Sequence, residues 1–399
     1  MSLNETPSAN RIRIGFFGRR NAGKSSLVNA VTGQNIAVVS DIAGTTTDPV
    51  NKSMELLPLG PVVITDTAGF DDEGMLGELR IEKTKEVLKK TDIAVLVVDS
   101  TEGLQDCDRE LINLFKEKNT NYIIAYNKCE LLDKKEDLKE NEIYVSAIEK
   151  TNINELKEKI ASVRPEISTI HMISDFVNAG DIVIFVTPID ESAPKGRLIL
   201  PQQMAIRDIL DKGAISIVVQ PNELSNTLIS LKNTPKLVVT DSQVFGKVKD
   251  IVPSNIMLTS FSILMARFKG LLDSAVDGAM VLDALKDNDT VLISEACTHH
   301  RQCNDIGTVK LPKWIENYTG KKLNFEFTSG GTFPEDLTNF ALIVHCGGCM
   351  INEKEMTSRV KYASNQNVPI TNYGTAIAHM NGILKRSLKI IPDLYNKLK

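Results

Sequence analysis

The stretch GRRNAGKS, residues 18–25, follows the apolar run RIRIGFFG and opens the helical run KSSLVNAVTG. A loop of this kind works only at the end of a buried strand and the start of a helix. Its glycines let backbone N–H groups close on phosphate oxygens, and the helix N-terminus adds its dipole. Gly18 and Gly23 give that close approach, with Asn21 and Ala22 between them. Lys24 reaches the β and γ oxygens, the Ser25 hydroxyl ligates Mg²⁺, and Ser26 continues the site onto the helix. Such a loop restricts the first part of the chain to an α/β sheet.

Three further elements arrive in order. DTAG (66–69) ends a strand, where Asp66 holds Mg²⁺ through water and the Gly69 N–H senses the γ-phosphate. GTTTD (44–48) is a hydroxyl-rich loop in which Thr45 or Thr46 completes the metal shell. NKCE (127–130) and SA (146–147) end the last two strands of the segment, where a base would lie. Asn127, Lys128, Glu130, Ser146 and Ala147 therefore face the base. A carboxylate accepts two hydrogen bonds from the N1–H and amine of guanine, and adenine offers no such donor pair. Glu130 stands where guanine-binding proteins ordinarily carry aspartate; it keeps the chemistry with a longer reach. The expectation is a GTPase cycling GTP and GDP with Mg²⁺, its chemistry resting on Lys24, Thr46 and Gly69. Phe70 follows DTAG and cannot orient water, so hydrolysis is expected to be slow.

At 399 residues the chain is too long for one core. Residues 1–10 read as a flexible tail. Strands and helices alternate over 11–165, the P-loop GTPase domain, and SVRPEISTIHMISD places a linker at 166–177. A second α/β series (178–265) carries DIVIFVTP, AISIVVQ and KLVVTD; a third (266–399) carries TVLISEA, KLNFEF, ALIVHC and VPITNYG. The fold class is thus α/β, a P-loop GTPase domain followed by two further α/β domains with parallel sheets. The formal net charge of −5 gives no electrostatic case for nucleic acid as the main partner. No apolar run is long enough for a membrane span, and MSLNETPSAN lacks the pattern of a signal peptide, which points to a cytoplasmic protein. Six cysteines are too sparse for a disulfide framework, so clustered ones read as metal or redox sites.

Two clusters qualify. VHCGGCM (344–350) puts Cys346 and Cys349 at the carboxyl end of a strand, behind His345; VLISEACTHHRQC does the same for Cys297 and His299. In a parallel sheet such ends line one crevice. Three thiolates from two loops, with two histidines near, make a soft-metal site. A C-x-x-C redox pair, structural zinc and an iron–sulfur cluster with a variable fourth ligand all suit these residues. Cys303 is a surface thiol or that fourth ligand. Cys107, Cys129, His171, His300 and His379 read as structural.

The NAGKS and GTTTD loops resemble those of TrmE/Era-like GTPases. That resemblance implies that Asn21 helps bind K⁺, which stimulates hydrolysis. The full order of parts, a GTPase segment, a middle α/β segment, then C-x-H and, about 46 residues on, H-C-x-x-C, resembles the FeFe-hydrogenase maturation GTPase family HydF. The resemblance covers essentially the whole chain. It implies a 4Fe-4S cluster on Cys297, Cys346 and Cys349, with an exchangeable fourth position that His299 or His345 fills or flanks. It also implies a scaffold that carries a diiron precursor, assembled after receiving parts from two radical-SAM maturases, and delivers it to the hydrogenase apoprotein. A homodimer formed through the middle segment completes the expectation. The competing class is a GTP-dependent tRNA-modification or ribosome-assembly factor with structural zinc. The acidic balance and the lack of a basic patch with aromatics stand against it.

Overall fold

The computed structural model describes residues 8–34, 50–67, 75–165, 170–189, 198–296, 305–330 and 332–398. The chain forms two compact units, Met1–Ile167 and Ser168–Lys399. In the first, β1 (Ile12–Phe17), α1 (Lys24–Thr32), β2 (Val50–Leu56), β3 (Gly60–Asp66), α2 (Met75–Lys90), β4 (Ile93–Asp99), α3 (Asp106–Glu117), β5 (Asn121–Asn127), β6 (Glu142–Tyr144) and α4 (Ile153–Ser162) follow in order. Their sheet runs β2-β3-β1-β4-β5-β6. β4 is buried at every position, as a central strand covered on both faces must be. All pairings are parallel except β2 with β3. Residues 51–55 of VNKSMEL alternate exposed and half-buried with no strong apolar signal, so sequence patterning misses this edge strand.

The second unit contains two four-stranded parallel sheets. β7 (Ile182–Val186), α5 (Leu200–Asp211), β8 (Ile215–Val219), α6 (Leu224–Ser230), β9 (Leu237–Thr240), α7 (Phe245–Ile251), β10 (Met257–Ser260) and α8 (Phe261–Phe268) build the first, with order β10-β9-β7-β8. After α9 (Leu272–Met280), β11 (Thr290–Ser294), α10 (Leu311–Thr319), β12 (Asn324–Thr328), β13 (Leu342–His345), α11 (Glu353–Asn365), β14 (Ile370–Asn372) and α12 (Tyr373–Met380) build the second, with order β12-β11-β13-β14.

One apolar core runs through both sheets, from Ile184 and Val238 to Val344 and Ile377. Polar ties join them as well: Arg386 donates to the carbonyls of Val252 (2.7 Å) and Pro253 (2.8 Å), and Asn372 to that of Ser262 (3.1 Å). The division expected between residues 265 and 266 falls inside α8, because the strand–helix pattern does not change there. Met172, Ile173 and Val177, in the stretch that reads as a linker, are buried in this unit. Asp208 accepts the N–H groups of Ile173 and Ser174, both at 2.8 Å.

Candidate functional sites

The phosphate loop leaves β1 beside β4, where strand order reverses and ligands of open α/β sheets collect. Gly18 has φ 136° and Gly23 φ 84°. A Cβ at Gly18 would lie 2.2 Å from the Val97 carbonyl oxygen, and one at Gly23 2.2 Å from the Asn127 amide nitrogen. No side chain fits at either place. Asn21 is left-handed too, with φ 59°. Lys24 is buried, and its ammonium donates to the carbonyls of Gly18 (2.9 Å) and Arg19 (2.7 Å). Ala22 is buried and Ser26 half-buried.

The Ser25 hydroxyl donates to Asp66 Oδ2 at 2.7 Å. Asp66 is 2% exposed, and its Oδ1 has no hydrogen-bond partner among the described residues. Burial raises its pKa, opposed by Ser25 and by the charge of Lys24. A hydroxyl and a half-satisfied carboxylate in contact suit a hydrated hard cation such as Mg²⁺. Thr45, Thr46, Gly69 and Phe70 lie outside the described residues.

At the base side, Asn127 donates to the Ala22 carbonyl and accepts from the Ala147 N–H, each at 3.0 Å. One amide thereby fixes the phosphate loop against the 146–147 loop. Ser146 is fully buried, its hydroxyl accepting from the Glu149 N–H at 3.0 Å. Glu130 Oε2 is buried with no partner among the described residues. An acceptor so placed is costly unless a ligand donor meets it.

Sequence reasoning missed two residues here. Asp99, at the end of β4, accepts from Lys128 (2.6 Å) and from the Thr101 N–H (3.0 Å) and hydroxyl (2.7 Å). Burial opposes its ionisation, yet these bonds hold its pKa below the ordinary value. Arg19, within the loop, pairs with Glu102 (2.7 Å) and with the buried Asp108 (3.3 Å). A carboxylate ending a wholly apolar strand was the available signal for Asp99; Arg19 had none.

In the second unit β11 and β13 are hydrogen-bonded neighbours, Ser294 in register with His345. Strand order reverses between them, with β12 on one side and β14 on the other. Both cysteine-bearing segments therefore leave the sheet at its switch point. Cys346 Sγ accepts the N–H of Ala296 (3.1 Å) and of Gly348 (3.4 Å). Ala296 immediately precedes Cys297, so the two segments meet at this sulfur. Gly348 has φ 65°, and a Cβ there would lie 2.2 Å from the Met356 side chain.

N–H donors on a cysteine sulfur favour its thiolate and tune a cluster bound there. The donor set thus fits a soft metal group. Among the described residues no three His, Cys, Asp or Glu side chains form a metal-binding group; Cys297, His299 and Cys303 lie outside them.

His345 is wholly buried. Its Nδ1 faces the Cys346 carbonyl at 2.8 Å and its Nε2 faces Arg359 at 3.0 Å. A carbonyl only accepts and a guanidinium only donates, so the partners assign a neutral ring protonated at Nδ1. Burial, and then Arg359, push its pKa down to about 3. Arg359 also donates to Glu355 (2.8 Å) and the Gly330 carbonyl (3.0 Å). Both ring nitrogens of His345 being engaged, the geometry matches a neighbour of the site rather than a metal ligand.

Sequence models of the hydrogen maturase F dimerization domain and tetramerization domain match residues 172–270 and 273–390, together more than half of the chain. The chain belongs to the hydrogen maturase F family. Its first unit carries a GTPase domain: a model described as 50S ribosome-binding GTPase matches residues 13–128. GTPase Der of Wolinella succinogenes is 36% identical over 177 residues, 40% of this chain and 37% of that protein. The tRNA modification GTPase MnmE of Streptococcus agalactiae is 37% identical over 151 residues, 37% of this chain and 32% of that one. The chain thus spans about a third of the length of these curated relatives. A solved Aquifex aeolicus Era variant bound to GDP and aluminium fluoride aligns at 19% identity and TM-score 0.36, covering 52% of this chain and 92% of that one. Among the described residues no helix is long and apolar enough to cross a membrane.

Proposed function

We propose that this chain is a GTP-binding, slowly GTP-hydrolysing hydrogenase maturation factor that carries a 4Fe-4S cluster. As a scaffold it receives parts from two radical-SAM maturases, assembles the diiron precursor and passes it to the FeFe-hydrogenase apoprotein. One observation supports the cluster half above others: the Ala296 N–H rests on Cys346 Sγ, joining the segments that carry the three family cysteines.

At the nucleotide, Glu130 accepts the two guanine donors, Lys24 bridges the phosphates, and Ser25, Thr46 and Asp66 hold Mg²⁺ directly or through water. The Gly69 N–H reads the γ-phosphate, and Asn21 helps hold K⁺. At the cluster, Cys297, Cys346 and Cys349 are the protein ligands. A cluster with three thiolates supplies one open iron that accepts a bridging ligand from a second metal unit. The chain's own groups orient that site: backbone N–H groups hold the Cys346 sulfur, and His345, fixed by Arg359, positions the turn. His299 remains the histidine proposed for the fourth position. We assign the GTPase domain to 11–165; the middle and cluster domains follow, their division moved from residues 265 and 266 to beyond the end of α8.

The homodimer is assigned to the middle sheet through β8. This edge strand exposes Ile215 (48%) and Val218 (44%), an apolar edge of the kind that pairs with a second copy.

Iron and sulfide analysis of anaerobically reconstituted protein tests the cluster. Replacing Cys297, Cys346 or Cys349 with serine should remove most iron, whereas replacing Cys107, Cys129 or Cys303 should not. Stoichiometric zinc without sulfide in the wild type would overturn the reading. Equal iron loss in Cys303→Ser would mean four thiolates and no open iron.

A further inference from the structure

Two parallel strands need a crossover, and the crossover usually carries a helix that covers one face of the sheet. β5 and β6 are parallel neighbours, yet residues 128–141 between them hold a short 3₁₀ turn, Cys129–Leu131, and no α-helix. One face of the pair is covered all the same: Ile123, Ala125 and Ile143 pack in the cluster that includes Leu156 and Ile160 of α4. The opposite face carries Ile124 and, in register with it, Glu142. α3 borders that face, and two adjoining cavities of 360 Å³ and 530 Å³ lie there, sharing Lys116 and Tyr122. Leu104, Ile112, Tyr122 and Ile124 give the smaller cavity an apolar floor. Cations line the rest: Arg109, Lys116 and Lys139 in the smaller cavity, Arg164 in the larger. Glu142 is the one carboxylate in either lining, and Lys139 meets it at 3.8 Å. Among the described residues Arg109 donates only to the Leu104 carbonyl, at 3.5 Å, and Lys116 and Arg164 form no ion pair. The neighbouring Glu110 and Glu140 line neither cavity. Unpaired positive charge over an apolar floor stands out in a chain of net charge −5.

We infer that this groove docks an acidic amphipathic helix of a protein partner, which takes the place of the missing crossover helix. The inference rests on the scaffold reading above, in which cargo comes from and goes to other proteins. A helix laid between α3 and β6 would set its apolar stripe on Ile112 and Ile124 and its flanking carboxylates against Arg109, Lys116 and Lys139. Aliphatic side chains dominate the floor, so it suits a helix better than the stacking of nucleic-acid bases.

The test uses the full chain as wild type and as Arg109→Glu, Lys116→Glu and Lys116→Arg, with the hydrogenase apoprotein and each of the two maturases as probes. Dissociation constants are measured over a salt series, and amide hydrogen exchange is read with and without each probe. At least one probe should slow exchange in residues 109–116 and 139–144. Its affinity should fall on the order of tenfold in each glutamate variant, most at low salt, and stay near wild type in Lys116→Arg. Neither position belongs to the nucleotide site, so all variants should titrate GTP as the wild type does. Probes that bind without slowing exchange on this face, or that are indifferent to both glutamate variants, overturn the inference and leave the scaffold reading standing. Protection of the face by a single-stranded RNA oligonucleotide, and by none of the proteins, overturns it as well. If no probe binds the wild type at all, the scaffold reading falls and the inference falls with it.

Discussion

Asn127 spends both ends of one amide on two different loops, donating to Ala22 and accepting from Ala147. Truncation in Asn127→Ala leaves a carbonyl and an N–H without these partners, at about 1–3 kcal/mol each where they stay buried. Nucleotide affinity should fall with it, by an order of magnitude or more in a fluorescent-nucleotide titration. Lys24→Ala should abolish binding outright while cluster iron is retained, since the cysteines belong to the other unit. Equal affinity in mutant and wild type would refute the role of Lys24.

His345 gives a pH prediction for cluster-free protein. Its folded pKa of about 3 lies below the unfolded value of ~6.5. Between those values the unfolded chain holds the extra proton, so stability falls as pH drops from about 6.5 towards 3. Burial and the Arg359 guanidinium, itself held by Glu355, keep the neutral form favoured. In His345→Phe the acid limb of a denaturation series should flatten by up to one proton, whatever the change in absolute stability. An unaltered slope would exclude a buried neutral ring.

Elements decide which surfaces are free for partners. β4 is buried along its whole length and offers nothing to a second chain. β8 is different: it lies at a sheet edge, with Ile215 and Val218 open to solvent. A lysine there disfavours strand pairing between copies. Val218→Lys should sediment as a monomer and keep wild-type nucleotide affinity; a persisting dimer would place the contact elsewhere. Helix packing has a similarly local cause where α9 crosses β14. A Cβ at Gly278 would come within 2.2 Å of the Ile370 carbonyl oxygen, and the Thr371 hydroxyl donates to the Ala275 carbonyl at 2.7 Å. This close approach helps seat β14 beside β13.

For the whole molecule, the proposal joins a slow nucleotide switch to a cluster carrier. Phe70 stands where a water-orienting side chain would be useful, and Asn21 holds a left-handed conformation within the phosphate loop. If Asn21 helps seat a monovalent cation, turnover should rise in KCl over NaCl at equal ionic strength, and Asn21→Ala should erase the difference. Indifference of the wild type to the cation would refute that role.

The sequence by itself determined the local features. Period-two and apolar runs located twelve of the fourteen strands among the described residues, and glycine spacing located the phosphate loop and the cysteine turn, both of which carry left-handed backbone. Residue chemistry also raised two proposals, guanine through Glu130 and a soft metal through the cysteines. These features persist in a short window of chain, so they are legible there. What needed the tertiary structure was everything set by distant neighbours. The edge strands β2 and β10 escaped because VNKSMEL lacks an apolar run and MLTS is too short to give a period. That β11 and β13 are adjacent, with the order reversing between them, depends on how crossovers stack. Engagement of both His345 nitrogens required Arg359 from α11. Packing brings together groups separated by tens of residues, and hydrophobic periodicity carries no record of which polar group will be buried beside which.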